Sequence, residues 1–243
     1  MPAAAASLRQ RYDSVLGRIA DAAARAGRRG SDVRLVAVTK AATIDQIVQL
    51  AVFGHRDFGE NRVQALIDRA PEVVQALAAA GGPPPDQLRW HMIGSLQRNK
   101  VRRAIELSTL IHSVENMKLA ESIHEEAMRR DRVAEVLVQV NVSGEASKHG
   151  MNMRAVKPVI EQMHTMAGLE IRGLMTMAPL TLEAEQTRPV FATLRELFED
   201  IRGSGIAGSR FDLLSMGMSG DFEVAVECGA NVVRVGTAIF HEE

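Results

Sequence analysis

With 243 residues, 46% hydrophobic and 24% charged, the chain has an ordinary globular composition and is long enough to bury a sizeable core. Lys and Arg total 29 against 30 Asp and Glu, a net charge of −1, which excludes a broad field for nucleic acid or an anionic membrane. The single cysteine, Cys228, excludes an intramolecular disulfide and a cysteine metal cluster, and no apolar run reaches signal-peptide or membrane-span length, so a cytoplasmic compartment is expected.

Leu8, Tyr12, Val15, Leu16 and Ile19 recur at helical spacing and predict an amphipathic helix over 6–26, stopped by Gly27 and Gly30. Eight short apolar runs then predict strands at 33–38, around 57–58, and at 90–93, 110–114, 136–142, 171–177, 211–216 and 232–235. Segments with helix periodicity lie between them, at 43–52, 60–79, 96–107, 115–130, 154–167, 184–203 and 219–229. Thr43 and Asp45 suit the opening of the first of these, and Ser219 and Asp221 the opening of the last. Strand–helix alternation of this length implies parallel strands joined by right-handed crossovers, and eight such units can close into a barrel. An open doubly wound sheet is the alternative. It would want a G-x-G-x-x-G turn after an early strand, whereas the turn after Val38 is Thr39-Lys40-Ala41-Ala42. The expected architecture is therefore a single TIM-like (β/α)8 barrel domain over 1–243 with an extra N-terminal helix. Gly81-Gly82-Pro83-Pro84-Pro85 reads as a surface loop within it, not as a domain linker.

Lys40 follows Leu35-Val36-Ala37-Val38 directly, at the C-terminal mouth where barrels of this kind build their sites. By period-2 alternation Val36, Val38 and Lys40 share a face. If the valines point inward, the lysine amine is partly withdrawn from water, which favours the neutral form that attacks an aldehyde or ketone. A lysine at a strand end that simply reaches solvent is the other reading. The chain holds only five lysines, so a lysine here is a fairly specific choice.

Two Gly- and hydroxyl-rich turns follow the last two strands: Ser215-Met216-Gly217-Met218-Ser219-Gly220-Asp221, leading into a helix, and Val235-Gly236-Thr237-Ala238. Those are the positions where barrels commonly hold phosphate, with backbone N–H groups, hydroxyls and a helix N-terminus as donors. Gly217, Gly220 and Gly236 are expected to let the backbone approach the anion, with Ser215, Ser219 and Thr237 as hydroxyl donors. Barrel closure sets the eighth strand beside the first, so Arg234 is expected to project inward near Lys40. There it needs either a carboxylate or a ligand. A phosphorylated aldehyde, bound by a lysine at one end and a phosphate loop at the other, fits this layout.

These residues stand in stretches that resemble the pyridoxal phosphate homeostasis proteins, whose fold is similar to the N-terminal barrel of alanine racemase. The stretches are Val36-Ala37-Val38-Thr39-Lys40, Phe58-Gly59-Glu60-Asn61-Arg62-Val63-Gln64, and Trp90-His91-Met92-Ile93-Gly94-Ser95-Leu96-Gln97-Arg98-Asn99-Lys100. They continue with His112-Ser113-Val114-Glu115-Asn116, Asn141-Val142-Ser143-Gly144-Glu145-Ala146-Ser147-Lys148 and Gly173-Leu174-Met175-Thr176-Met177-Ala178-Pro179. Leu214-Ser215-Met216-Gly217-Met218-Ser219 and Val233-Arg234-Val235-Gly236-Thr237-Ala238-Ile239-Phe240 complete them, nearly end to end. The resemblance implies pyridoxal 5′-phosphate as cofactor, with Lys40 forming its internal aldimine. It implies Ser215, Ser219, Gly236 and Thr237 as phosphate ligands, Arg234 facing the pyridine nitrogen, and Asn61 and His91 lining the same mouth. Three positions depart from the family pattern: Arg62 stands where an aromatic residue is expected, Gly220 replaces a bulkier residue, and His241 takes a place often held by glycine. Of these, Arg62 bears on access to the mouth.

A racemase would need a second acid/base opposite Lys40. In alanine racemases this is a tyrosine, and the site is completed by a further β-rich domain. Here the only tyrosine, Tyr12, falls on the N-terminal helix, and no stretch for such a domain follows the eighth strand. Cys228, among Val224, Val226 and Ala230, reads as a small buried hydrophobe. His91, His112, His124 and His149 lack zinc-site spacing, and His124 reads as solvated. Arg98, Lys100, Arg102 and Arg103 read as a solvated helix face, and Met151, Met153, Met163 and Met166 as core filler. The leading expectation is a monomeric carrier or regulator that buffers pyridoxal 5′-phosphate or delivers it to apo-enzymes. A lysine-dependent lyase or aldolase acting on a phosphorylated carbonyl compound and a weak amino-acid racemase are the alternatives.

Overall fold

The computed structural model describes residues 2–144, 149–179 and 183–241. Helix α1 (Pro2–Arg25) precedes the first strand. Strand β1 (Arg34–Val38) leads to α2 (Ile44–Val52), β2 (Asp57–Glu60) to α3 (Val63–Ala79), and β3 (Arg89–Met92) to α4 (Val101–Leu107). Next, β4 (Leu110–Val114) leads to α5 (Met117–Arg129), and β5 (Ala134–Asn141) to a two-residue β6 (Met151–Asn152) and α6 (Met153–His164). Finally β7 (Leu169–Met175) leads to α7 (Arg188–Ser204), β8 (Leu213–Ser215) to α8 (Phe222–Glu227), and β9 (Val232–Val235) to α9 (Thr237–Phe240).

Every pairing is parallel, and β1 pairs with both β2 and β9. The ladder runs on through β3, β4, β5, β7 and β8, so eight strands close the expected barrel and β6 only extends the end of β5. The eight strands read from apolar runs are these eight. Of the sequence stretch 141–148, residues 145–148 lie outside the described residues.

The pleat sorts side chains into two cores. Val36, Leu110, Leu137, Met175, Leu213 and Val232 fill the barrel interior as a small cluster of their own. The alternate residues, among them Leu35, Ala37, Phe58, Trp90 and Ile111, pack outward beneath the helices in the larger core. Short polar devices set where the helices begin. Thr43 and Gln46 exchange hydrogen bonds in a capping box on α2, and Asn116 and Asn152 cap α5 and α6.

Along α1, Leu8, Tyr12, Val15 and Ile19 are buried against the barrel, each contributing roughly 1.5–3 kcal/mol of apolar burial. Leu16, expected on the same face, is 38% exposed. Arg18 pairs with Glu223 at 2.7 Å and lies over the Phe222 ring, tying α1 to α8. Helix α8 is shorter than the predicted 219–229 because Met218–Asp221 forms a turn, with the Asp221 carboxylate accepting from the Met218 N–H at 2.6 Å. The four-residue α9 is too short to show periodicity, and the sequence reading does not contain it. His124 is half-buried rather than solvated, because its Nδ1 accepts from the Gly168 N–H at 3.1 Å. Cys228 is likewise half-buried, against the core beside Arg188.

Candidate functional site

The barrel opens at the C-terminal ends of its strands into a cavity of about 490 Å³. Lys40 stands at this opening on a single 3-10 turn, Thr39–Ala41, that follows β1 directly. The turn is clamped from outside the barrel. The Thr39 hydroxyl lies 2.5 Å from Glu60 Oε1 and 3.2 Å from the Gly59 carbonyl oxygen. Arg69, reaching back from α3, donates to both the Thr39 carbonyl and the Glu60 carboxylate. Glu60 is fully buried and its second oxygen, Oε2, has no partner. Contrary to the expected partial desolvation, Lys40 is exposed: the strand ends at Val38 and the lysine stands on the turn that follows it, at the cavity opening.

Around the cavity stand Asn61 after β2, Ile93, Gly94 and Ser95 after β3, Gln139 on β5 and Met177 after β7. Met218, Ser219 and Gly220 follow β8, and Arg234, Gly236 and Thr237 belong to β9 and its end. The Ser219 hydroxyl accepts from the N–H groups of Gly236 and Ala238 at 3.3 and 3.4 Å, so the last two loops are tied into one rim. Two glycines are dictated by close approach. A Cβ at Gly94 would sit 2.1 Å from the Asn61 carbonyl oxygen, where the loops after β2 and β3 touch. Gly217 has φ +94, and a Cβ there would lie 2.6 Å from the Ala225 methyl, so it shapes the turn under α8 and does not line the cavity. That differs from its expected role beside an anion. An outer groove formed with α1 shares Ser219, Gly220 and Thr237 with this rim and includes His241, whereas Arg62 is an exposed residue before α3 that lines neither space.

Arg234 points inward, as barrel closure predicts. It is 4% exposed, and its Nη1 donates to Ser215 Oγ at 2.6 Å and its Nη2 to the Thr176 carbonyl at 2.9 Å. Among the described residues no carboxylate lies within ion-pair distance of it. Burial pulls the guanidinium down to about 10, which still leaves it charged at neutral pH. Asp221 acts on it only across a gap, and a buried cation with no carboxylate in contact, facing a cavity, is unfavourable unless a ligand completes it.

Two expected mouth residues lie one layer deeper. His91 is 1% exposed and bonds His112 and Asp57, and Ser215 is fully buried with its hydroxyl taken by Arg234 and His112. Neither lines the cavity, because each points inward from within its strand while the lining comes from the residues that follow, Ile93 after β3 and Met218 and Ser219 after β8. The sequence reading missed Asp57 and His112 in this layer, and Glu60 and Arg69 behind the Lys40 turn. The inward alternation of β2 and β3 (Asp57, Gly59 and His91) is the signal that could have found Asp57. No group of three or more residues suited to a metal occurs among the described residues, and among them no helix is long and apolar enough to cross a membrane.

The donor set fits a small anion carrying a carbonyl group. It offers a primary amine at the rim, hydroxyls on Ser219 and Thr237, a guanidinium at the floor, and apolar Ile93, Met177 and Met218 for a flat ring. A Cβ on Gly236 would come within 3.0 Å of the Val38 carbonyl, so the floor narrows between β1 and β9.

The chain matches the family model of the alanine racemase N-terminal domain over residues 14–243. The pyridoxal phosphate homeostasis protein of Aquifex aeolicus is 37% identical over 234 residues, covering 96% of this chain and 97% of that protein. A crystal structure of an unknown protein from Bifidobacterium adolescentis superposes with a TM-score of 0.90 at 35% identity, over 99% of this chain and 97% of the other. PipY from Synechococcus elongatus, solved with PLP bound, superposes with a TM-score of 0.76 at 35% identity, over 86% and 93% of the two chains. The chain therefore belongs to the pyridoxal phosphate homeostasis protein family, built on the alanine racemase N-terminal-domain barrel.

Proposed function

We propose that this protein binds pyridoxal 5′-phosphate in the barrel mouth, holds it covalently through Lys40, and acts in the cytoplasm as a carrier or regulator of the cofactor. The observation that carries the reading is Arg234, a buried cation with no carboxylate partner among the described residues, on the floor of a cavity whose rim bears Lys40, Ser219 and Thr237. PipY, a relative at 35% identity, has PLP bound, which supports the same ligand here. Ser219, Thr237 and the Gly236 backbone would take the phosphate, Arg234 the pyridine nitrogen, and Asn61 the rim beside Lys40.

Bound pyridoxal phosphate supplies an aldehyde for capture by amines and, when its ring nitrogen is protonated, a strong electron sink. A guanidinium gives a hydrogen bond but does not hand over its proton, so Arg234 keeps the ring nitrogen unprotonated and the sink weak. Lys40 and Arg234 are the titratable side chains among the cavity's described lining, which supports holding over two-base catalysis. Tyr12 is hydrogen-bonded to His55 at 3.2 Å and lies outside that lining.

An absorbance spectrum after incubation with pyridoxal 5′-phosphate tests the reading, with Lys40→Ala measured alongside. Wild type is expected to gain a visible band that borohydride fixes as a permanent mass increase, and Lys40→Ala to gain neither. No band in wild type would sink the cofactor reading and leave a cofactor-free, lysine-dependent aldolase as the hypothesis to pursue.

A further inference from the structure

A hydrogen-bond chain crosses the barrel interior beneath the cavity. Arg234 Nη1 reaches Ser215 Oγ at 2.6 Å, Ser215 Oγ reaches His112 Nδ1 at 3.0 Å, His112 Nε2 reaches His91 Nδ1 at 3.0 Å, and His91 Nε2 reaches Asp57 Oδ1 at 3.0 Å. All five residues are buried, at 6% exposure or less. Apolar side chains are the ordinary filling of such a barrel, so five linked polar residues are a costly choice unless every member is satisfied.

With both rings neutral, the carboxylate end fixes the direction of the whole chain. A guanidinium only donates, and a carboxylate only accepts. A neutral His91 must carry its proton on Nε2, to donate to Asp57, so its Nδ1 accepts from His112 Nε2–H. His112 Nδ1 is then an acceptor, and Ser215 Oγ, which accepts from Arg234, turns its own proton to it. Each neutral ring thus has one defined tautomer. Burial holds both imidazoles below their ordinary range, in keeping with that state. At the far end Asp57 is also gripped by Arg89 at 2.8 and 2.5 Å, with Arg34 at 3.9 Å and its backbone carbonyl bonded to His55.

We propose that Asp57, His91 and His112 are positioning residues for Arg234, forming a chain of fixed polarity that aims the guanidinium into the cavity without a carboxylate in direct contact. The proposal rests on the reading of the cavity as a pyridoxal phosphate site. A carboxylate in direct contact would hold Arg234 equally well but would neutralise it. A neutral hydroxyl, itself oriented from below, holds the guanidinium and keeps its charge for the ligand. Asp57 anchors the opposite end of the chain, and Asp221, the carboxylate whose charge favours the guanidinium, is not within ion-pair distance of it.

The test is the nitrogen chemical shifts of the imidazoles in the protein without cofactor. His91 and His112 are expected as neutral Nε2–H tautomers at neutral pH. In Asp57→Asn the carboxamide can keep its oxygen on Arg89 and turn its NH2 towards His91. That permits the chain to reverse, and both rings should move to the Nδ1–H form. Pyridoxal phosphate should then bind about tenfold more weakly, with a shifted absorbance band, because Ser215 no longer orients to Arg234. Should Asp57→Asn fail to fold, Ser215→Ala tests the same link, and His112 should lose its single tautomer. A cationic or Nδ1–H His112 in wild type, or an unmoved His112 in a folded variant, overturns the proposal. So does unaltered cofactor affinity in Asp57→Asn. Failure of wild type to bind pyridoxal phosphate would count against the cavity reading instead, because the ring tautomers judge the chain without it.

Discussion

Two arginines of the barrel, Arg172 on β7 and Arg234 on β9, are held by opposite means. At the end away from the cavity, Arg172 is paired at 2.8 Å with both Glu135 and Asp212, and Arg210 pairs with Glu135 in turn. The same end carries Asp57 with Arg89. Each of these arginines has a carboxylate in direct contact. Arg234, at the cavity floor, has a hydroxyl and a backbone carbonyl as partners. The difference separates charge used to close the scaffold from charge reserved for a guest. Arginine content says nothing about which is which, and only the identity of each partner does.

Leucine at each position should split the two roles. Arg234→Leu removes a buried charge that no carboxylate pairs with directly, so stability should stay within about 1 kcal/mol of wild type or rise. Its affinity for pyridoxal phosphate should fall about a hundredfold, near 3 kcal/mol, as read by spectral titration. Arg172→Leu should do the reverse. It strands Asp212 and leaves Glu135 to Arg210 alone, and the loss should be about 2 kcal/mol by urea unfolding, below the value for a fully buried pair because Asp212 is 58% exposed. Cofactor affinity should change by less than about twofold, since Arg172 touches nothing at the mouth. If Arg172→Leu weakened binding as much as Arg234→Leu, the division between the two ends would be wrong.

Much of this arrangement is legible in the chain. Apolar runs bounded by turn residues mark most of the eight barrel strands, because strands enclosed on both sides are largely apolar, with β2 (Asp57–Glu60) the weakest signal. Lys40, Asn61, Ser219, Arg234, Gly236 and Thr237, picked out at strand ends, do meet at one cavity. What the chain does not reveal is depth. His91 and Ser215 point inward from within their strands, below the mouth residues, and that depth depends on register with neighbouring strands, which short apolar runs leave open. Alternation marks Asp57 as inward, but not its partners Arg89 and His91, which lie 32 and 34 residues away in sequence. Arg69 is hidden for another reason. On α3 it looks like any helix-surface arginine until the helix packs it against the Thr39 turn.

Acid should probe the closed end before the mouth. His55 is bonded to the Tyr12 hydroxyl at 3.2 Å and the Asp57 carbonyl at 2.7 Å, and burial lowers it from 6.5 to about 4. A histidine whose folded value is depressed binds its proton more readily when unfolded. Its stabilisation is therefore complete above pH 6.5 and is lost as pH falls from there towards 4. By about pH 5 the loss from this one group should reach roughly 2 kcal/mol. Burial lowers His91 and His112 as well, so they add to the loss in the same direction. Asp57 acts later. Burial pushes its carboxyl up, but the hydrogen bonds from Arg89 and His91 outweigh that and hold it well below the usual range. Its contribution is therefore present above the ordinary value of 3.8 and is lost only as pH falls below it. Urea unfolding between about pH 7 and 5 should show falling stability, and His55→Gln should flatten the slope by up to one proton's worth. A flat wild-type curve across that interval would mean that the histidines are not held neutral in the folded protein. The closed end would then lose its place as the acid-sensitive half of the barrel.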